Sequence, residues 1–197
     1  MSALPQQPYY MSVKNYLAFD RESDIKHEYA DQKIYAMAGA SENHNLICTS
    51  TTFSLYGQTR NRPCKIYQSD MRVQAANAES YRYPDITIVC GEAQFFDAQL
   101  DTLVNPTVLI EVLSKSSSER DHITKAWEYR QITSLQDYLI IAPDKAQIEW
   151  YHRQKDNTWL ISSIVGLTET IYLDAIDCTL ALEDIYEKID FDEDSEQ

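Results

Sequence analysis

The stretch PTVLIEVLS, residues 106–114, decides how the chain folds. In a strand, successive side chains alternate between faces. Val108, Ile110 and Val112 therefore fall on one side and Leu109, Glu111 and Leu113 on the other. Apolar residues on both sides mark a strand in the middle of a sheet that is covered on both faces. Glu111 breaks the pattern. An ionised carboxylate in such a place costs several kcal/mol unless a cation meets it.

Upstream lies a second strand of the same kind, DITIVC (residues 85–90), which opens with Asp85 behind Pro84. Carboxylates at the ends of adjacent strands can share one face, and there they bind Mg²⁺ or Mn²⁺ through oxygen. Taken alone, Asp85 reads more simply as a turn cap; Glu111, embedded in VLIEVL, points to function. Downstream, Ser116 and Glu119 stand at capping-box spacing before a helix expected to run to about Ile132. That helix carries Asp121, Lys125 and Tyr129. Asp121 and Lys125 are one turn apart, which also fits an ordinary surface pair. On the functional reading Lys125 reaches a metal-bound water and stabilises charge on a phosphate. Lys115 is its rival by strand parity with Glu111, although Ser114-Lys115-Ser116 reads as a strand exit.

Asp70, at the start of DMRVQA, offers a third carboxylate or a turn acid. Glu28 and His44 can line the same cleft, with a structural role the simpler reading of each. His27, His122 and His152 show no ligand spacing, and no G-x-S-x-G elbow supports a serine triad.

Composition narrows the function classes. A chain of 197 residues with 44% hydrophobic residues has the makings of one globular domain, expected over residues 1–190. Its four glycines are scattered singly, so no phosphate-cradling loop can be assembled. Cys48, Cys64, Cys90 and Cys178 form no Cys-x-x-Cys pair. They read as reduced thiols of a soluble cytoplasmic protein, with Cys48 and Cys90 as small buried residues. No signal-peptide pattern or membrane-length apolar run is present. The net charge of −14 counts against tight non-specific binding to DNA, but half of it lies in the acidic residues 183–197. Residues 191–197 read as a disordered acidic tail.

The periodicities predict the remaining elements. Ser12 caps a helix over VKNYLAFDRE, HEYADQKIYAMAG forms a hairpin about Asp31-Gln32, and Ser41 caps a long helix ending before Pro63. CKIYQ and DMRVQA are short strands. ANAESYRY is a polar segment, and the loop at residues 91–105 has room for a short helix. DYLIIAP is a buried strand, and AQIEWYHRQ with TWLISSIVG makes an antiparallel pair. TIYL is a strand, and Thr179 caps a last helix, LALEDIYEKI.

Pro84-Asp85, Glu111-Val112-Leu113-Ser114, then Asp121, Lys125, Tyr129 and DYLIIAP resemble the PD-(D/E)XK nuclease superfamily. The pattern is closest to its bacterial branch of restriction-endonuclease-like proteins, long catalogued as a domain of unknown function. HEYADQKIYAMAGASENHN and YQSDMRV are similar to that branch too, so the likeness spans roughly residues 10 to 190. The resemblance implies a mixed α/β fold: a restriction endonuclease-like central mixed sheet flanked by helices, with additional antiparallel strands. It implies Asp85 and Glu111 as ligands of Mg²⁺ or Mn²⁺, with Asp70 a further candidate, and DNA as substrate. It also implies Lys125 as the catalytic lysine, supported by Asp121 and Tyr129. The superfamily's lysine normally follows the Glu by two residues, where this chain has Leu113; the branch takes it from the following helix. A homodimer would suit cleavage of duplex DNA. The competing reading is a degenerate nuclease fold that binds or regulates without catalysis.

Overall fold

The computed structural model describes residues 10–37, 39–75, 79–114 and 119–191, except for the side chains of residues 119–121. The elements in chain order begin with α1 (Val13–Glu22), the hairpin β1 (His27–Ala30) and β2 (Lys33–Ala36), and α2 (Glu42–Thr59). Next come β3 (Cys64–Gln68), β4 (Arg72–Ala75), β5 (Ser80–Arg82), β6 (Ile86–Cys90), β7 (Thr102–Leu103), β8 (Val108–Val112) and α3 (Glu119–Tyr129). Last are β9 (Asp137–Ile141), β10 (Gln147–Arg153), β11 (Trp159–Val165), β12 (Thr170–Leu173), β13 (Cys178–Ala181) and α4 (Leu182–Ile185).

Six strands form the central sheet in the order β11-β10-β9-β8-β6-β3. The sheet is mixed: β8 and β9 run parallel, joined by a crossover through α3, and the other neighbours run antiparallel. β8 sits inside it, with all five residues buried. Its two faces enter different cores, as the alternation predicts. Val108, Ile110 and Val112 pack with Ile47 and Leu55 of α2 and with Ile171, Leu173 and Leu180 of β12 and β13. Leu109 packs with Ala126 and Tyr129 of α3, Tyr138, and Val73 and Leu103 of the second sheet. Helix α2 presents Ile47, Thr51, Leu55 and Thr59 to the core at four-residue spacing.

The second sheet runs β2-β1-β5-β4-β7 and is covered by α1 through Tyr16 and Leu17, which meet Tyr29 and Tyr81. A buried polar knot fixes α1 there. Asp20 accepts from Arg72 Nη2 at 2.6 Å, from the Tyr83 hydroxyl at 2.5 Å and from the His27 amide at 2.8 Å. The carboxylate is thus satisfied by three donors, the condition for burying it. Ser12 and Ser41 accept from Asn15 and His44 amides as N-caps, as expected. Asp31 and Gln32 both take positive φ, 50° and 61°, which gives the hairpin turn its primed geometry without glycine.

Four expectations fail. Residues 80–82 of the polar segment form β5, held between β1 and β4, because pairing on both sides outweighs weak strand propensity. The loop at 91–105 contains β7 and a bridge from Phe95 to Leu103 rather than a helix. Thr179 lies inside β13, paired with Tyr172, and the last helix starts only at Leu182 with Ala181 as an N-cap lacking a side-chain bond. Cys64 and Cys90, expected as reduced thiols, are opposite one another in the β3–β6 register and joined by a disulfide, while Cys48 and Cys178 are free. The Ser116 cap, the Lys115 alternative and residues 192–197 of the acidic tail lie outside the described residues. No helix among the described residues is long and apolar enough to cross a membrane.

Candidate active site

The pairing of β6 with β8 places Ile86 opposite Ile110, so one step further along the same register Asp85 stands opposite Glu111. Asp85 sits where the chain enters β6 behind Pro84, and its Oδ2 accepts the Val112 amide at 2.8 Å. Glu111 is the penultimate residue of β8. Both line a cleft of about 1250 Å³ together with Glu28, His44, Arg82 and Lys125. Position 113, the usual place of the superfamily's lysine, holds a leucine that packs into the α3-side core.

Lys125 reaches Glu111 because α3 lies across that face of the sheet. Ala126 and Tyr129 anchor the helix over Leu109 and Tyr138, and Lys125 on the same turn is carried inward. Its Nζ donates to Glu111 Oε2 at 3.1 Å and Oε1 at 3.3 Å, and lies 3.0 Å from Glu28 Oε1. The Tyr129 hydroxyl donates to Glu111 Oε1 at 2.7 Å. Tyr129 therefore holds the carboxylate, not the lysine as expected. The network continues outward: Arg82 donates to Glu28 Oε2 at 2.9 Å and to both oxygens of Glu128 at 2.8 and 2.9 Å.

The protonation balance follows from who shares whom. Burial works against the charge on Lys125, yet Glu111 and Glu28 together hold its pKa above the ordinary lysine value. The Glu111 carboxyl is raised to about 7: burial raises it most, Lys125 pulls it back, and Glu28 and Asp85 add to the rise. Glu28 faces the same burial, but Lys125 and Arg82 overcome it and leave its pKa lowered. One ammonium shared by two acids compensates fully only the acid that has a second cation.

His44 enters from the first turn of α2, with Nε2 3.2 Å from Asp85 Oδ2. That hydrogen bond raises its pKa against the opposing effect of burial. One helical turn on, Cys48 Sγ lies 3.7 Å from His44 Nδ1. Ligand atoms of His44, Cys48 and Asp85 all fall within 4.8 Å of one another, so a residue read as simple packing stands beside the candidate metal ligands. Asp70 does not join this group: its side chain is 90% exposed at the cleft rim, paired with Lys26. The Asp121 side chain lies outside the described residues.

Arg82 and Glu128 were not singled out by the sequence. Their signal was present but weak: Arg82 is two residues before the Pro84 turn, and Glu128 is one turn from Lys125 on the same helix.

The profile of the Uma2 family, described as "Putative restriction endonuclease", matches residues 13–183. The chain belongs to this family. Two uncharacterized proteins of Synechocystis sp. are close relatives in sequence. One is 31% identical over 181 residues, covering 92% of this chain and 94% of its own length. The other is 33% identical over 156 residues, covering 79% of this chain and 88% of its own. Among solved structures, a crystal structure titled as a putative nuclease belonging to DUF820 from Anabaena variabilis superposes with a TM-score of 0.72. It shares 16% identity and covers 90% of this chain and 98% of that one, which makes the fold the same. The architecture is thus restriction endonuclease-like.

Proposed function

We propose that the chain is a divalent-metal-dependent endonuclease that hydrolyses DNA phosphodiester bonds at the cleft between Asp85, Glu111 and Lys125. One observation carries this reading. Three carboxylates (Glu111, Glu28 and Glu128) share two cations, Lys125 and Arg82, while Asp85 pairs with His44, so with a neutral imidazole the four acids leave an excess of two negative charges when all are ionised. A Mg²⁺ or Mn²⁺ ion balances that excess, and the oxygen donors of Asp85 and Glu111 suit such hard cations. The ion would supply a water of lowered pKa and neutralise charge on the scissile phosphate.

The chain's own residues account for the rest. Asp85, fixed by the Val112 amide, and Glu111, fixed by Tyr129, offer their carboxylates from adjacent strands of a rigid sheet. Lys125, held by two carboxylates, presents a permanently charged ammonium at the position from which a nucleophilic water is oriented for in-line attack. His44 orients Asp85 from the other side. Hydrolysis would leave a 5′-phosphate and a 3′-hydroxyl, as in the superfamily the sequence resembles.

A second reading is a binding or regulatory module on the same fold. It is favoured by the hydrogen bonds from Lys125 and Tyr129 that already engage both oxygens of Glu111. Nicking of supercoiled plasmid and cleavage of single-stranded DNA at low salt, with Mg²⁺, Mn²⁺ or EDTA, separates the two. Metal-dependent cutting lost in Asp85→Ala and in Lys125→Ala supports the nuclease; no cutting by the wild type under any of these conditions sinks it.

A further inference from the structure

The face of the central sheet opposite α3 carries a second convergence of metal-ligating side chains. Asp137 opens β9 and pairs in register with His152 of β10. Asp174 comes from the turn between β12 and β13, which packs on that same face through Ile171 and Leu173. The three come from separate segments of the chain, and their ligand atoms lie within 4.8 Å of one another.

The local chemistry is directional. Asp137 is fully buried, and its Oδ1 accepts the Trp150 indole N–H at 2.8 Å and lies 2.7 Å from His152 Nδ1. A proton on Nδ1, donated to Asp137, leaves the lone pair on Nε2, the arrangement by which a carboxylate orients a metal-binding imidazole. His152 Nε2 points to Asp174 Oδ1 at 3.7 Å. That is long for a hydrogen bond. It is close to the ~3.4 Å between two ligands of a tetrahedral ion with bonds of about 2.0–2.1 Å. Meanwhile Asp137 Oδ2 is buried with no hydrogen-bond partner among the described residues. A buried carboxylate with one oxygen unsatisfied is costly, and positive charge beyond the imidazole would relieve it.

We propose that His152 and Asp174 bind a borderline divalent transition ion, of the Zn²⁺, Co²⁺ or Ni²⁺ class, with Asp137 as the positioning residue behind the imidazole. An imidazole nitrogen paired with one carboxylate selects this class over Mg²⁺ or Ca²⁺, which prefer all-oxygen shells. Asp174 is 65% exposed, so the ion has an open approach and water completes its shell. Binding would tie the β12–β13 turn to the central sheet. The site shares no residue with the cleft around Asp85 and stands whether or not the cleft cuts DNA.

The test is a Zn²⁺ titration of the full-length protein followed by NMR of the histidine ring nitrogens, with the His152 signals assigned by His152→Gln. Saturable movement of the His152 Nε2 signal is expected, with affinity at least tenfold weaker in Asp174→Asn and 10- to 100-fold weaker in Asp137→Asn. Asp174 is exposed, so its variant folds normally and keeps the test decisive if Asp137→Asn does not fold. Mg²⁺ at the same concentrations should leave the ring unmoved. A His152 ring that Zn²⁺ does not perturb, or equal affinity in wild type and Asp174→Asn, would overturn the proposal. The same titration on Asp85→Ala should be unchanged; loss of the His152 response there would assign the ion to the cleft and also overturn it.

Discussion

Lys125 Nζ lies 3.1 Å from Glu111 Oε2, an ammonium from α3 meeting a carboxylate from the middle of β8. Fourteen positions separate them in the chain, and a leucine occupies the place where strand spacing alone would put the cation. The helix supplies the charge that the strand omits. This geometry explains how VLIEVL can bury a glutamate, and the expected consequences can be measured.

Lys125→Met should destabilise the fold by roughly 3–5 kcal/mol, because it leaves Glu111 and Glu28 buried without their shared cation. Glu111→Gln should cost clearly less, since Lys125 keeps Glu28 at 3.0 Å. Urea unfolding of the two variants beside wild type checks the order; the reverse order would mean that the pair does not hold this region together.

Saturating Mn²⁺ should raise the melting temperature of the wild type but not of Glu111→Ala. At a hundred times the dissociation constant the gain is about 2.7 kcal/mol. The same melts with Mg²⁺ in place of Mn²⁺, in the presence of 1,10-phenanthroline, which removes Zn²⁺-class ions but hardly competes for Mg²⁺, would distinguish the cleft from the His152 site.

The metal-free protein should show a definite pH signature. Glu111 carries a pKa of about 7 in the fold against an ordinary 4.5, so the folded state binds its proton more tightly than the unfolded state does. Its contribution is fully present below about pH 4.5 and is lost as pH rises through about 7. Wild type should therefore lose stability relative to Glu111→Gln between pH 5 and 8. Asp101 has the opposite sign. The Arg21 guanidinium at 2.7 Å holds it at about 2, so its contribution is present above about pH 4 and disappears as the solution is acidified towards pH 2. Comparing Asp101→Asn with wild type over that range isolates it.

The Cys64–Cys90 bond closes a loop with a sequence separation of 26 residues and ties the edge strand β3 to β6. On chain-entropy grounds its loss should cost about 3.5 kcal/mol. Cys64→Ser, or wild type in strong reductant, should melt lower by the corresponding amount, and reductant should have no further effect on the variant.

The sequence by itself determined the central sheet, because strand alternation and apolar content are local properties. PTVLIEVLS and DITIVC announce buried neighbouring strands, and Ser12 and Ser41 announce helix starts that the structure reproduces. It also marked Glu111, since a charge inside a buried strand demands an explanation wherever it occurs, and the resemblance to the nuclease superfamily added Asp85 and Lys125 to it. What only the tertiary structure decided is which charges meet. Tyr129 turned out to hold Glu111, Arg82 and Glu128 to extend the network, Asp70 to stand apart with Lys26, and Cys48 to approach His44. Residues 80–82 became a strand and Thr179 left its helix because pairing partners far along the chain were available. Asp137, His152 and Asp174 have no common spacing and gather only when β9, β10 and the β12–β13 turn are packed. Electrostatic partnership depends on separation in space, falling with distance and rising with burial, and no periodicity in the chain encodes it.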